Sequence, residues 1–280
     1  MGHTNRGSAT GTLLGVPFFL FLVTLGPDCR AATRHELVVC ADPNNLPFSS
    51  RDGTGFENKL AELVAKDMGV QLRYVWWAQR RGYVRNTLTE AKCELWPGVA
   101  SGVERMLTTK PYYRSTYVFV SRADSKLGGL TLDDPRLRKV SVGVQMIGND
   151  AMNTPPAHAL AQRGVIQNVR GYMVYGDYAR PNPPARIVKA VATGEIDVGL
   201  VWGPLAGYFA SRSLTPLRIE PVTPAVDARV WPMTYDIAVG VSRSEPQLRS
   251  QVDAILSKEK PAIEKLLDRY HVPRVPPDSG

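Results

Sequence analysis

The chain has 280 residues, 44% hydrophobic and 21% charged, enough for a full core in one large domain or two lobes. Thirty-four Lys and Arg against 26 Asp and Glu give a formal charge of +8, which favours acidic partners through long-range steering. No run of Lys and Arg is present, and this argues against nucleic acid.

Residues 1–32 read as a secretory signal. Arg6 supplies the basic start, Leu13 to Leu25 the apolar run, and Cys29-Arg30-Ala31 small residues for cleavage. The run falls short of the ~20 apolar residues of a transmembrane helix. Asp28 precedes Cys29 where lipid attachment wants a small residue, so no lipoprotein is expected. After cleavage, 32 basic and 25 acidic residues remain.

Residues 35–40 (HELVVC) predict a buried strand, followed by the loop ADPNNLPFSS, whose prolines and asparagines continue neither sheet nor helix. Gly55-Phe56-Glu57 opens a helix with Leu60, Leu63, Val64 and Met68 on one face. A strand is expected over 71–77, a helix over 79–89 with Val84 and Leu88 inward, and a short strand over 94–99. Trp96-Pro97 should shorten that ladder, because proline lacks the donor. Ser101 and Glu104 have capping-box spacing.

Residues 117–121 form a strand leaving this unit. Strands at 140–145, 172–175 and 196–202 then alternate with helices starting at Thr154-Pro155 and Asn182-Pro183. A proline-rich link leads to a strand at 235–241 that returns to the first unit, and two helices follow, over 245–258 and from Pro261 to near Tyr270. The order predicts an α/β fold of two lobes joined by two crossing strands: 33–118 plus 237–280, and 119–236. Ligands of such sheets sit beyond the carboxyl ends of strands. The cleft loops are therefore 41–50, 76–82, 98–105, 145–154, 175–182 and 202–207.

With Cys29 lost in the signal, Cys40 and Cys93 remain in an oxidising compartment, which invites a disulfide. Extended parallel strands argue against it, since about five residues at ~3.3 Å each would separate the two, against the ~6 Å a bridge spans. Neither Cys-x-x-Cys nor His-Glu-x-x-His spacing occurs, so no metal site is implied.

Several segments carry a family resemblance: CADPNNLPFS, GFENKLAELVAKDMG, YVWWAQRRGYVRNTL, LTTKPYYRSTYVFV, the stretch from Val174 to Ala210, and LLDRYHVPRVPP. Residues 34–272 resemble the type II periplasmic binding protein fold. More narrowly, these segments are similar to the quinoprotein dehydrogenase-associated proteins, the J proteins of the methanol oxidation system (MoxJ/XoxJ). The resemblance implies a periplasmic helper, not an enzyme, that assists a methanol dehydrogenase or its cytochrome c. Pyrroloquinoline quinone (PQQ) and a calcium or lanthanide ion then belong to the partner, with no cofactor on this chain and no membrane contact after signal cleavage. Trp96-Pro97 departs from the family's uninterrupted apolar run.

Amino-acid receptors of this fold have a carboxylate after the strand at 196–202 that grips the ligand's ammonium. Here Trp202, Gly203 and Pro204 stand there instead. Arg105 falls where such receptors hold the ligand's carboxylate, which keeps anion binding open, and Asp150 would oppose that carboxylate from the second lobe.

Trp76, Trp77, Arg80 and Arg81 cluster at a strand end, as a wall for a partner's side chain or as one core Trp with solvated arginines. Tyr112, Tyr113 and Arg114 precede the crossing strand, as contact residues or as hinge packing. Asn44, Asn45 and Phe48 line the first cleft loop, for binding or for turn chemistry. Tyr175, Asp177 and Tyr178 open a loop stiffened by prolines, as a contact or a solvated segment.

Two other functions compete with the helper reading. One is a transporter's receptor for a small neutral or aromatic ligand. The other is an enzyme pairing Glu57 with Asp177 as acid and base. His3, His35, His158 and His271 sit at unpromising places, and no Gly-x-Ser-x-Gly elbow occurs.

Overall fold

The computed structural model describes residues 1–2, 7, 34–79, 82–147, 153–174 and 178–276. Apart from positions 1, 2 and 7, the expected signal lies outside the described residues, and so does Asp150. No helix among the described residues is long and apolar enough to cross a membrane.

The first lobe begins with β1 (Glu36–Ala41), α1 (Phe56–Met68), β2 (Gln71–Trp76) and β3 (Leu95–Ala100). β1 pairs in parallel with β2 and β3, so its side chains are covered on both faces and read as the continuous apolar run LVVCA. The apolar stripe of α1, including Phe56, Leu60 and Val64, is buried against this sheet.

The long strand β4 (Tyr113–Arg122) carries the chain out of the first lobe. The second lobe adds β5 (Val142–Met146), α2 (Pro155–Gln162), β6 (Val169–Met173), α3 (Arg186–Ala192), β7 (Val198–Trp202), α4 (Gly203–Ala210) and β8 (Leu217–Pro221). β9 (Thr234–Val241) returns the chain, and α5 (Pro246–Lys258) and α6 (Lys260–Arg269) complete the first lobe.

Strand order is β2-β1-β3-β9-β4-β7-β5-β6, with β8 on the far side of β4. β4 and β9 run antiparallel, with Thr234 opposite Thr116 and Ile237 opposite Tyr113. Leu37, Val39, Phe56, Leu95, Val239 and Leu267 share one buried cluster, while Phe119, Val142, Leu160 and Leu200 anchor another in the second lobe. This is the α/β, two-lobed, doubly crossed architecture expected.

Four local expectations fail. Cys40 and Cys93 are bridged, with Cα atoms 5.5 Å apart. Residues 91–94 are a turn, not an extended strand, and only Val39–Leu95 is in register between β1 and β3. The chain therefore crosses the β1 edge at Cys93 instead of running back along it.

No helix follows Ser101. Gly102 takes φ +79°, which a right-handed helix does not accept, and residues 101–106 form turns. The helix expected over 79–89 is shorter, covering 83–89 among the described residues with Arg85–Thr89 wound more widely than an α-helix; it ends at Thr89 and buries Leu88 as foreseen.

β8 was not foreseen. Pro216 and Pro221 made it read as a link, although LRIE pairs with Phe119 to Arg122 of β4. Pro97 has the expected effect. β3 loses its β1 register beyond Leu95, and its register with β9 shifts beside Ala238.

Candidate functional site

A cavity of about 300 Å³ lies between the lobes, at the low end of small-molecule sites. Its floor comes from the crossing strands. Strand alternation puts Tyr113 and Tyr117 of β4 on the same face as Tyr235 and Ile237 of β9. Trp202 ends β7 and forms one wall, with Leu205 of α4 beside it. Gln145, next to last in β5, fixes that corner by accepting the Trp202 backbone N–H at 2.7 Å.

The rings of Tyr117, Trp202 and Tyr235 meet nearly at right angles. Tyr117 and Trp202 have centroids 5.3 Å apart and planes 63° apart; Trp202 and Tyr235 lie 5.9 Å and 74° apart. Phe48, Asn45 and Gln79 close the first-lobe side, where Asn45 donates to the Gln79 side chain at 2.7 Å.

Two carboxyls line this cavity, and among the described lining residues there is no Lys, Arg or His. Asp42, immediately after β1, is 2% exposed. It accepts the backbone N–H of Asn44 at 2.8 Å and of Gln79 at 2.5 Å, and the Tyr178 hydroxyl at 2.5 Å. Glu57, in the first turn of α1, is 7% exposed, and among the described residues its carboxyl has no hydrogen-bond or ion-pair partner. A helix N-terminus favours a charged carboxylate, but burial outweighs it here. Burial, and then the charge of Asp42, push the Glu57 carboxyl up to about 8. Gly98 makes room for it: a Cβ there would fall 1.9 Å from Glu57 Oε1.

The sequence-derived residues fare unevenly. Asn45, Phe48, Tyr113 and Trp202 line the cavity. Asn44 lies at its rim and joins the lobes, donating to the Arg180 carbonyl at 2.8 Å and accepting the Asn182 N–H at 3.0 Å. Tyr178 joins them through Asp42.

Trp76 stacks on Tyr74 at 4.6 Å with Arg51 over its ring, and Trp77 has the Lys92 ammonium 5.3 Å from its centroid. Arg80, Arg81, Tyr175 and Asp177 lie outside the described residues. Tyr112 and Tyr113 are not a surface pair: Tyr112 donates to the Pro97 carbonyl at 3.0 Å, and Tyr113 is 6% exposed. Arg114 faces Asp236 of the neighbouring strand at 3.6 Å. Arg105 is exposed and does not line the cavity, because the turn set by Gly102 replaces the expected helix.

Sequence reasoning missed Asp42, Gln79, Tyr117, Gln145, Leu205 and Tyr235, and weighed Glu57 only as an acid catalyst. The signal was positional, since Asp42 and Gln145 lie beside strand ends at the cleft and the two tyrosines sit on the crossing strands. No group of three or more His, Cys, Asp or Glu able to hold a metal occurs among the described residues.

The described cavity has anions for an ammonium and no cation for a carboxylate, the reverse of what Gly203-Pro204 and Arg105 suggested. Gly203 has a packing reason instead: a Cβ there would lie 2.6 Å from the Thr116 carbonyl oxygen.

Comparison with known proteins places these features in context. Residues 37–273 match the bacterial extracellular solute-binding proteins, family 3. Protein MoxJ of Methylorubrum extorquens AM1 is 38% identical over 251 residues, 86% of this chain and 82% of that protein. Protein MoxJ of Paracoccus denitrificans is 31% identical over 86% of this chain and 90% of its own length. The crystal structure of periplasmic binding protein XoxJ from Methylobacterium extorquens AM1 superposes with a TM-score of 0.70. It is 36% identical and covers 86% of this chain and all of that one.

Proposed function

The chain belongs to the family 3 bacterial extracellular solute-binding proteins, in the MoxJ and XoxJ group, and on that footing we propose that it is a periplasmic accessory protein of methanol oxidation. It assists a PQQ-dependent methanol dehydrogenase, or that enzyme's cytochrome c, without catalysing a reaction itself. The quinone and its metal ion belong to the partner. The observation that carries this reading is the 38% identity to MoxJ along nearly the whole folded chain.

The cavity supports it by exclusion. A free amino acid would bring a carboxylate against Asp42 and Glu57 with no described cation in the lining to receive it. Among the described lining residues, the cavity therefore keeps the receptor's architecture with two carboxyls in place of an amino-acid receptor's charge arrangement. The half-buried Trp76 and Trp77 at the end of β2, together with Arg80, Arg81 and the loop ending at Pro184 that the sequence singles out, are proposed to meet the partner. The net positive charge steers it to an acidic one.

Two experiments test this. A strain lacking the chain should grow poorly on methanol and normally on a multicarbon substrate; equal growth on both with full dehydrogenase activity sinks the proposal. The tagged protein should recover the dehydrogenase at low salt and less at moderate salt. Equal recovery with Trp77→Ala and Arg81→Ala removes the rim from the argument. The interlobe cavity favours a second reading, a receptor for a small molecule, and native mass spectrometry of protein from its own periplasm distinguishes it by a stoichiometric ligand.

A further inference from the structure

A buried carboxyl with no partner is an expense that a folded protein normally avoids. Glu57 is such a group. Its side chain lines the interlobe cavity, it is 7% exposed, and among the described residues nothing donates a hydrogen bond to its carboxyl or forms an ion pair with it. Gly98 leaves the space it occupies. A mere packing role would be served by leucine or glutamine. A carboxylate at the edge of an aromatic chamber is instead what a cation needs.

The rest of the chamber agrees. Tyr117, Trp202 and Tyr235 all line the cavity, and Trp202 meets each tyrosine in an edge contact, at 63° and 74°. Ring faces carry negative potential and attract ammonium groups, most strongly when water is excluded. The tyrosines remain neutral hydroxyls. Burial raises Tyr113, Tyr117 and Tyr235 above their ordinary range, so they supply ring faces and dipoles instead of charge. The second carboxyl, Asp42, is occupied by three donors and contributes its field.

We propose that the interlobe cavity binds a small organic cation that carries no carboxylate, an alkylammonium, with Glu57 as counter-ion and Tyr117, Trp202 and Tyr235 as its aromatic walls. The second half of this specificity rests on the carboxyls present: a zwitterion would place its own carboxylate against Asp42 and Glu57. Closure is built in, because Asp42 and Asn44 of the first lobe bond Tyr178, Arg180 and Asn182 of the second. Glu57 and the three aromatic walls lie apart from the partner surface proposed above, while the loop ending at Pro184 belongs to both.

Affinity should depend on pH. Among the described residues, the groups close enough to act on the charge of Glu57 are Asp42, from the loop after β1, and Tyr83, Tyr112 and Tyr113, whose hydroxyls burial holds neutral. The cation prefers ionised Glu57, so binding strengthens as pH rises towards and past about 8, and below that it releases a proton.

Isothermal titration of the mature protein with choline, its neutral carbon analogue dimethylbutanol, and glycine betaine tests the site. Choline should bind with one-to-one stoichiometry, about tenfold or more tighter than either control. Glu57→Gln should remove that preference while melting cooperatively. In the unaltered protein, choline affinity should rise between about pH 6 and about pH 9. Failure of choline and tetramethylammonium to bind at millimolar concentration overturns the proposal. So does equal affinity for the neutral analogue, or binding indifferent to both Glu57→Gln and pH. A Glu57→Gln protein that loses choline but still recovers the dehydrogenase separates this site from partner binding.

Discussion

The Tyr178 hydroxyl donates to Asp42 Oδ2 at 2.5 Å, joining a loop of the second lobe to the end of the first strand of the first. Asp42 is buried and also accepts two backbone N–H groups, so Tyr178 completes an acceptor that burial would otherwise leave short of one donor. Hydrogen bonds to a charged group contribute about 1.5–3 kcal/mol. Tyr178→Phe should therefore weaken cleft closure while leaving each lobe intact. Hydrogen exchange should speed up at residues 42–45 and 178–182 and stay unchanged in β7. Unchanged exchange at both segments would show that this bond does not hold the lobes together.

Glu57 gives stability a pH dependence of defined sign. Its carboxyl is raised from 4.5 to about 8, by burial first and by Asp42 second. The folded protein thus holds a proton that the unfolded chain releases between these values. The contribution is fully present below about 4.5 and is lost as pH rises through about 8. The carboxylates held below their ordinary range, Asp52, Asp124, Asp133 and Asp134, act at lower pH and do not mask it. The melting temperature should fall between about pH 5 and about pH 9, and Glu57→Gln should flatten that fall and raise stability at the alkaline end by a few kcal/mol. Parallel pH profiles for the two proteins would place the titration elsewhere.

How much of this was legible in the sequence follows from what each feature depends on. β1, α1 and α6 depend on periodicity and caps within their own segments, and their limits fall within a residue or two of expectation. The crossing pair follows from alternation plus chain order. The turn at 101–106 was misread because a capping-box spacing says nothing about the φ of Gly102 between its two ends. The Cys40–Cys93 bridge was misjudged because register between parallel strands is a tertiary quantity, and 91–94 turns where extended geometry had been assumed.

At the site, residues expected from loops were partly right, and those contributed by regular strands were overlooked. Tyr117 and Tyr235 read as ordinary strand aromatics until pairing of β4 with β9 turns them to the same floor. Glu57 was seen as a carboxylate in a helix's first turn, but its burial depends on Gly98, 41 positions away in the chain.

The bridge itself carries the next prediction. Cys40 and Cys93 are 0% and 1% exposed and packed with Tyr83, Leu88 and Val99, so reduction leaves two buried thiols and frees a loop of 53 residues' separation. Closing a loop of this size stabilises by about 2–5 kcal/mol, chiefly by restricting the unfolded chain. The double variant Cys40→Ser, Cys93→Ser should unfold at lower urea concentration by that amount, and reductant should shift the unaltered protein but not the variant. Coincident curves with and without reductant would mean that the bridge contributes nothing.

The last prediction concerns Gly203 and Gly207, the two glycines of α4. α4 lies against β4 on one side and the chain after α6 on another. A Cβ on Gly207 would lie 1.9 Å from the His271 carbonyl oxygen, and one on Gly203 2.6 Å from that of Thr116. Both obstacles are backbone atoms, so relief requires a shift of a strand or of the C-terminal segment, not a rotamer change. Overpacking of this kind costs about 1–3 kcal/mol. Gly98→Ala differs in kind, because the atom met there is Glu57 Oε1, the end of a flexible side chain. Gly207→Ala should lower the urea midpoint clearly and leave the pH dependence of stability in place. Gly98→Ala should do the opposite, changing the midpoint little and moving the alkaline limb as the displaced carboxyl finds water. If both variants lose only stability, Gly98 is a packing residue like Gly207, and the space it leaves has no bearing on the charge of Glu57.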